Sequence, residues 1–83
     1  MARLLFFGKL GDLAGGRMRE LKLTPAARTV AELITMMKQT DPSLGEALND
    51  PSIRFIVNEQ VTSVETAISD TDEIAFLPPV SGG

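Results

Sequence analysis

The clearest periodic signal in the chain is Val30, Leu33, Ile34 and Met37, spaced i, i+3, i+4 and i+7 along one face of an amphipathic helix. Thr29 with Glu32 three residues later gives the capping-box pattern, so a helix is predicted over residues 29–39. Asp41-Pro42 ends it, because the residue before a proline is pushed out of the helical region. The chain has 83 residues, room for one small domain, and everything else must be arranged around this helix. A domain of that size buries only roughly 60% of the surface its unfolded chain exposes. With no Cys and no His, neither a disulfide nor a Cys/His metal site is available to supplement the core.

The remaining apolar segments read as strands. Residues 4–7 (Leu-Leu-Phe-Phe) form a continuous apolar run bounded by Gly8, the pattern of a central strand or of one that carries an exposed apolar face. Residues 9–14 make a helical turn before Gly15-Gly16, and residues 18–23 a second, more exposed strand closed by Thr24-Pro25. Ser43 is placed as the cap of a short helix in which Leu44 and Leu48 share a face, and Asn49-Asp50-Pro51 turns the chain. Residues 53–57 alternate Ile53, Phe55 and Val57 against Arg54 and Ile56. A turn over residues 58–60 leads to a short strand around Val61, and residues 64–68 are an extended or edge piece. Asp70-Thr71-Asp72 is a polar turn into a last strand over residues 73–77, which Pro78-Pro79 ends because two prolines cannot donate to a ladder. This order predicts an α+β roll, one mixed sheet packed on one main helix, with a domain over residues 1–77 and a tail over residues 78–83.

The composition excludes much chemistry. Without His or Cys the chain lacks the usual general base near neutral pH, the usual strong nucleophile and soft zinc ligands, so a self-sufficient hydrolase or redox enzyme is not expected. Eight basic against eleven acidic residues, with no basic run and no aromatic interleaving, leave no electrostatic footprint for nucleic acid. Partners are expected to be proteins with basic or apolar patches. No segment reads as a secretory signal or membrane span, and the reading is a soluble cytoplasmic protein. Asp70, Asp72 and Glu73 read as a solvated bend, with no metal site assigned. Gly8, Gly11, Gly15 and Gly16 have the wrong spacing for a dinucleotide fingerprint. Met36 and Met37 read as core or core edge, and Arg17 and Arg19 as a solvated strand face.

The tail Pro78-Pro79-Val80-Ser81-Gly82-Gly83 has no place in the sheet. Two consecutive prolines hold the chain near the extended polyproline conformation and project Val80 to Gly83 away from the last strand. Two glycines at its tip place no Cβ near the carboxylate, so the backbone can enter a channel too narrow for any other residue. That carboxylate is ionised at neutral pH and is a poor electrophile, so any acyl chemistry needs activation by a nucleotide-dependent partner.

Residues 76–83, Phe-Leu-Pro-Pro-Val-Ser-Gly-Gly, preceded by Asp70-Thr71-Asp72-Glu73-Ile74-Ala75, resemble the C-terminal signature of the small subunits of molybdopterin synthase, sulfur carriers with the ubiquitin-like β-grasp fold. The opening Leu4-Leu5-Phe6-Phe7-Gly8 and the Val57-Asn58-Glu59-Gln60 turn are similar to that family as well, and the resemblance covers the whole chain. It implies a non-catalytic, sulfur-carrying subunit, active only with a large synthase subunit in a heterotetramer. It further implies that Gly83 is adenylated by a ubiquitin-activating-like adenylyltransferase using ATP and Mg²⁺, and that a sulfur donor system converts it to a thiocarboxylate. The sulfur would pass to cyclic pyranopterin monophosphate and form the dithiolene of molybdopterin. Gly83 is then the reacting residue, Gly82 grants access, and Pro78, Pro79, Val80 and Ser81 guide the tail. No stably bound cofactor is implied. The alternatives are the sulfur carrier of thiamine synthesis, usually shorter and without the Pro-Pro stem, a ubiquitin-like protein modifier, and an interaction module with an inert tail.

Alternation supplies a candidate docking face. If Leu4, Phe6, Ile74 and Phe76 face the helix, then Leu5, Phe7, Ala75 and Leu77 lie on the opposite face, which one main helix cannot also cover. Phe7 and Leu77 are therefore placed in an exposed apolar patch beside the tail, with Val61 a further member. Leu77 stands where the family pattern often has an aromatic residue.

Overall fold

The computed structural model describes residues 1–25 and 27–79. Its elements are β1 (Ala2–Phe6), α1 (Lys9–Ala14), β2 (Met18–Leu21), α2 (Val30–Thr40), α3 (Pro42–Leu48), β3 (Arg54–Val57), β4 (Gln60–Thr62) and β5 (Glu73–Leu77). The five strands form one mixed sheet in the order β2-β1-β5-β3-β4. β1 and β5 run parallel, Leu4 beside Ile74 and Phe6 beside Phe76, and the other pairs are antiparallel. The expected α+β roll is therefore present, with the last strand at its centre.

One face of the sheet carries the core. Leu4, Phe6, Ile74 and Phe76 are at most 1% exposed and share a cluster with Val30, Leu33, Ile34 and Met37 of α2 and with Leu44 and Leu48 of α3. Each such aliphatic side chain contributes about 1.5–3 kcal/mol by leaving water. Phe6 stacks on Phe76 with ring centroids 5.3 Å apart, and Phe55 meets Phe76 edge-on at 5.9 Å. Arg19 also belongs to this face. Its pairing with Leu4 turns it inward, where its guanidinium lies 5.8 Å from the Phe6 ring centre and donates to the Ala14 carbonyl at the end of α1. The solvated-face expectation thus fails for Arg19.

The ends of α2 show where local patterns are modified by tertiary context. Thr29 caps it as expected, its Oγ1 accepting from Glu32 N at 3.2 Å, but Glu32 Oε1 accepts from Arg28 N rather than from Thr29. Thr29 is instead in an isolated bridge with Ala67. Residues 64–68, expected as an extended or edge piece, join no strand of the sheet. They lie across the start of α2, where Val64 O accepts from Ala31 N at 2.8 Å and Thr66 O from Val30 N at 3.1 Å. Those two donors and Glu32 N are among the four amides that a helix start leaves unpaired, so the strap completes the cap. At α3 the cap is Asp41, not Ser43: Asp41 Oδ1 accepts from Leu44 N, and Pro42 occupies the first helical position.

α2 and α3 cross closely at Gly45. A Cβ there would lie 2.5 Å from Lys38 Cα, a contact with backbone that no rotamer change relieves. Gly45→Leu is expected to lower stability by about 1–3 kcal/mol through overpacking. Urea unfolding of the two proteins, compared at their midpoints, measures this.

The acidic bend before β5 is a set of backbone clasps. Asp70 Oδ1 accepts from Leu23 N at 2.8 Å, and Asp72 accepts from Ser69 N at 2.7 Å and from Asn58 Nδ2 at 2.8 Å. Glu73 Oε2 lies 3.6 Å from Arg3. The Leu23 amide holds the Asp70 carboxyl below its ordinary pKa, and the Ser52 hydroxyl does the same for Asp50. A carboxyl depressed in the folded state adds stability that is complete above its unfolded value of about 3.9 and is lost as pH falls through the folded value. Asp70→Asn should accordingly lower Tm at pH 7, and the gap between variant and native protein should shrink as the pH is taken below about 3.9. Melting curves over a pH series check both points.

Candidate functional site

The tail leaves from the centre of the sheet. β5 ends at Leu77, and Pro78 lies next against the turn that joins β1 to α1. Gly8 caps α1 with φ 56° and ψ −135°, a left-handed backbone that glycine adopts without strain. A Cβ on Gly8 would stand 2.9 Å from Pro78 Cγ, so the absence of a side chain lets the proline stem lie against the turn. Phe7 N donates to Phe76 O at 3.1 Å, extending the central ladder to the point of exit. Pro78 is half-buried and Pro79 exposed. Val80, Ser81, Gly82 and Gly83 lie outside the described residues.

The sheet face opposite the helices is apolar across its whole width. Register places Met18, Leu5, Ala75, Ile56 and Val61 side by side on five successive strands. Partners in a ladder point to the same side, so these five form one row on the face that α2 and α3 do not cover. Met18 is 53% exposed and Val61 74%, while Leu5 and Ile56 are half-buried. Ala75, assigned by alternation only to the face opposite the helix, is 7% exposed. It lies on the predicted face, but on the central strand a single methyl is overshadowed by Leu5 and Ile56 on either side.

Nearer the tail exit the same face carries Phe7, 49% exposed, half-buried Leu77, and Arg54 directly across the ladder from Leu77. The structure thus brings Phe7 and Leu77 together beside Pro78, with Val61 at the outer edge of the adjoining row. Phe7 also lines a groove of about 930 Å³ with Leu5, Met18, Arg17, Asp12 and the glycines of α1 and its flanks. At the far end Arg3 pairs with Glu73, and Glu20 stands beside Arg3. Among the described residues, no group of three or more acids is arranged to hold a metal ion. No helix among them is long and apolar enough to cross a membrane.

Sequence reading missed Met18, Ile56 and Arg54 as members of this face. The alternation in residues 53–57 already separated Arg54 and Ile56 from Phe55, but which strands flank β5 is a matter of topology. Met18 needed the β1–β2 register.

The geometry has counterparts among known proteins. The model of the ThiS family matches residues 4–83. The chain is similar to the molybdopterin synthase sulfur carrier subunit of Escherichia coli K12, 32% identical over 83 residues that span both chains entirely. It is also similar to the subunit of the same name from Mycobacterium tuberculosis, 28% identical over 96% of this chain and 94% of that protein. Among solved structures, a putative molybdopterin converting factor subunit 1 from Pyrococcus furiosus superposes with a TM-score of 0.77 at 26% identity, covering 95% of this chain and 97% of the other. Small archaeal modifier protein 1 from Methanosarcina acetivorans superposes with a TM-score of 0.76 at 26% identity, covering 99% and 95%. With nearly all of its length in the family match and a full-length relative above 30% identity, the chain belongs to the ThiS family, in the company of the molybdopterin synthase sulfur carrier subunits.

Proposed function

We propose that this chain is the sulfur-carrier subunit of a molybdopterin synthase and that Gly83 is the residue that carries the sulfur. The observation behind the reading is the similarity to the Escherichia coli subunit, which runs the full length of both chains and so includes the tail. The chemistry is consistent with a chain that has no His and no Cys, because the carrier performs no acid–base step of its own. A ubiquitin-activating-like adenylyltransferase transfers AMP from ATP, with Mg²⁺, to the Gly83 carboxylate and releases pyrophosphate. Sulfide released by the sulfur donor system then attacks the acyl carbon, the bond to AMP breaks and AMP leaves with one carboxylate oxygen, and a thiocarboxylate remains on Gly83. The large synthase subunit takes this thiocarboxylate into its active site, where the sulfur attacks cyclic pyranopterin monophosphate on the way to the dithiolene.

The residues divide the work. Pro78 and Pro79 act as the stem, Val80 and Ser81 reach into the channel, and Gly82 passes where a side chain would block. Phe7, Leu77 and Val61 form the contact with the large subunit, joined by Leu5 and Ile56 of the same face. Contacts of this kind concentrate binding energy in a few apolar anchors.

Intact-protein mass spectrometry after incubation with a matching activating enzyme, ATP, Mg²⁺ and a sulfur source tests the carrier role. The expected result is the mass gain of one sulfur replacing one oxygen, localised to Gly83, and no gain after deletion of Gly83. An unchanged mass, with that enzyme active on a known carrier, would overturn it. The likeness to the Methanosarcina modifier supports a second reading, in which Gly83 forms isopeptides with target lysines. Conjugates bearing a Gly-Gly remnant on lysine in the same reaction, supplied with cell protein, would favour that reading. For the docking face, Val61→Asp should weaken binding to the large subunit about tenfold. Because Val61 is exposed, its effect on stability should stay within about 0.5 kcal/mol, read by calorimetric titration and a melting curve.

A further inference from the structure

Arg54 stands out on the apolar face. Its strand alternates with Phe55 and Val57 in the core, so Arg54 and Ile56 point the other way, and the ladder sets Arg54 directly beside Leu77. Leu77 is the residue before Pro78-Pro79, and Phe7 lies on the other side of it. Phe7, Leu77 and Arg54 therefore form one row across β1, β5 and β3 at the mouth of the tail. Under the proposed function, the partner that receives the tail covers this row.

The two arginines on the face differ in their surroundings. Arg3, at the far end, has Glu73 at 3.6 Å and Glu20 beside it in register. Arg54 is exposed and has no ion pair or side-chain hydrogen bond among the described residues. Arg17, near Phe7, shares its groove with Asp12. Among the described residues Arg54 is thus a cation on the docking face with no ion-paired carboxylate, and it is the one that the ladder sets directly beside Leu77. Covering it strips its hydration, and a buried guanidinium left without a carboxylate opposes association.

We infer that Arg54 is a specificity determinant, and that the partner surface which covers Phe7 and Leu77 presents an Asp or Glu carboxylate to it. The inference rests on the docking face assigned under the proposed function and adds the chemistry of the surface that fits it: apolar opposite Phe7 and Leu77, acidic opposite Arg54. Although the chain is acidic as a whole, with net charge −3, its surface beside the tail selects for an acidic contact. A guanidinium can meet that carboxylate in a bidentate pair, and the charge also speeds encounter.

Calorimetric titration with the molybdopterin synthase large subunit of the same organism provides the test, using native chain, Arg54→Lys, Arg54→Glu and Leu77→Asp, each checked by a melting curve. Arg54→Glu should bind at least tenfold more weakly than native protein, and Arg54→Lys, which keeps the charge, within threefold. A loss smaller than tenfold for Arg54→Glu, tighter binding, or an equal loss for Arg54→Lys would overturn the inference while Leu77→Asp still weakens the complex. If Leu77→Asp binds like native protein, the docking face itself is wrong and the inference falls with it.

Discussion

The parallel pairing of β1 with β5 is the contact on which the rest of the structure depends. It joins segments from opposite ends of the chain, buries Phe6 against Phe76, and places the last strand between the two hairpins of the sheet. Because the strands are parallel, their C-terminal ends lie together. That is why the β1–α1 turn with Gly8 and the proline stem are neighbours, and why Phe7 and Leu77 fall in one row. An antiparallel arrangement of the same two strands would have put the apolar patch and the tail at opposite ends of the molecule.

A single covered face is the second constraint. α2 and α3 pack on the inward side of β1, β5 and β3, the two helices meeting closely at Gly45, while the edge strands β2 and β4 are at most half-buried. The other side is left with a row of apolar residues that a larger protein would bury within itself. Ala75 at its centre is hidden by longer neighbours, so the exposed apolar surface is concentrated toward Phe7 and Leu77 by the tail and toward Met18 and Val61 at the two edges.

Much of this was legible in the sequence because its signals are local. The period of Val30, Leu33, Ile34 and Met37 marked α2, the alternation from Ile53 to Val57 marked β3, and the proline pair marked the end of β5. The failures are non-local. Arg19 turns inward because β2 pairs with β1 in one register and not the next, a slip of one residue being enough to reverse every side chain. Residues 64–68 carry strand-like composition, yet their carbonyls are taken by the start of α2. Asp41 displaced Ser43 as a cap because Pro42 can occupy the first helical position, where its missing N–H costs nothing. Arg54 became noticeable only when the ladder set it beside Leu77.

The position of β5 also bears on how the molecule comes to exist. The strand nearest the tail is the one on which both halves of the sheet pair, so the β1–β2 and β3–β4 hairpins have no shared sheet until it arrives. Closing that contact spans nearly the whole chain, which places the fold among high contact-order topologies whose long-range pairing carries the loop-closure cost before any reward. Alignment of the proline stem is consequently coupled to completion of folding: a chain that has not seated β5 has neither an aligned stem nor an assembled apolar face. The topology itself thus makes the aligned stem and the apolar face joint properties of a finished molecule.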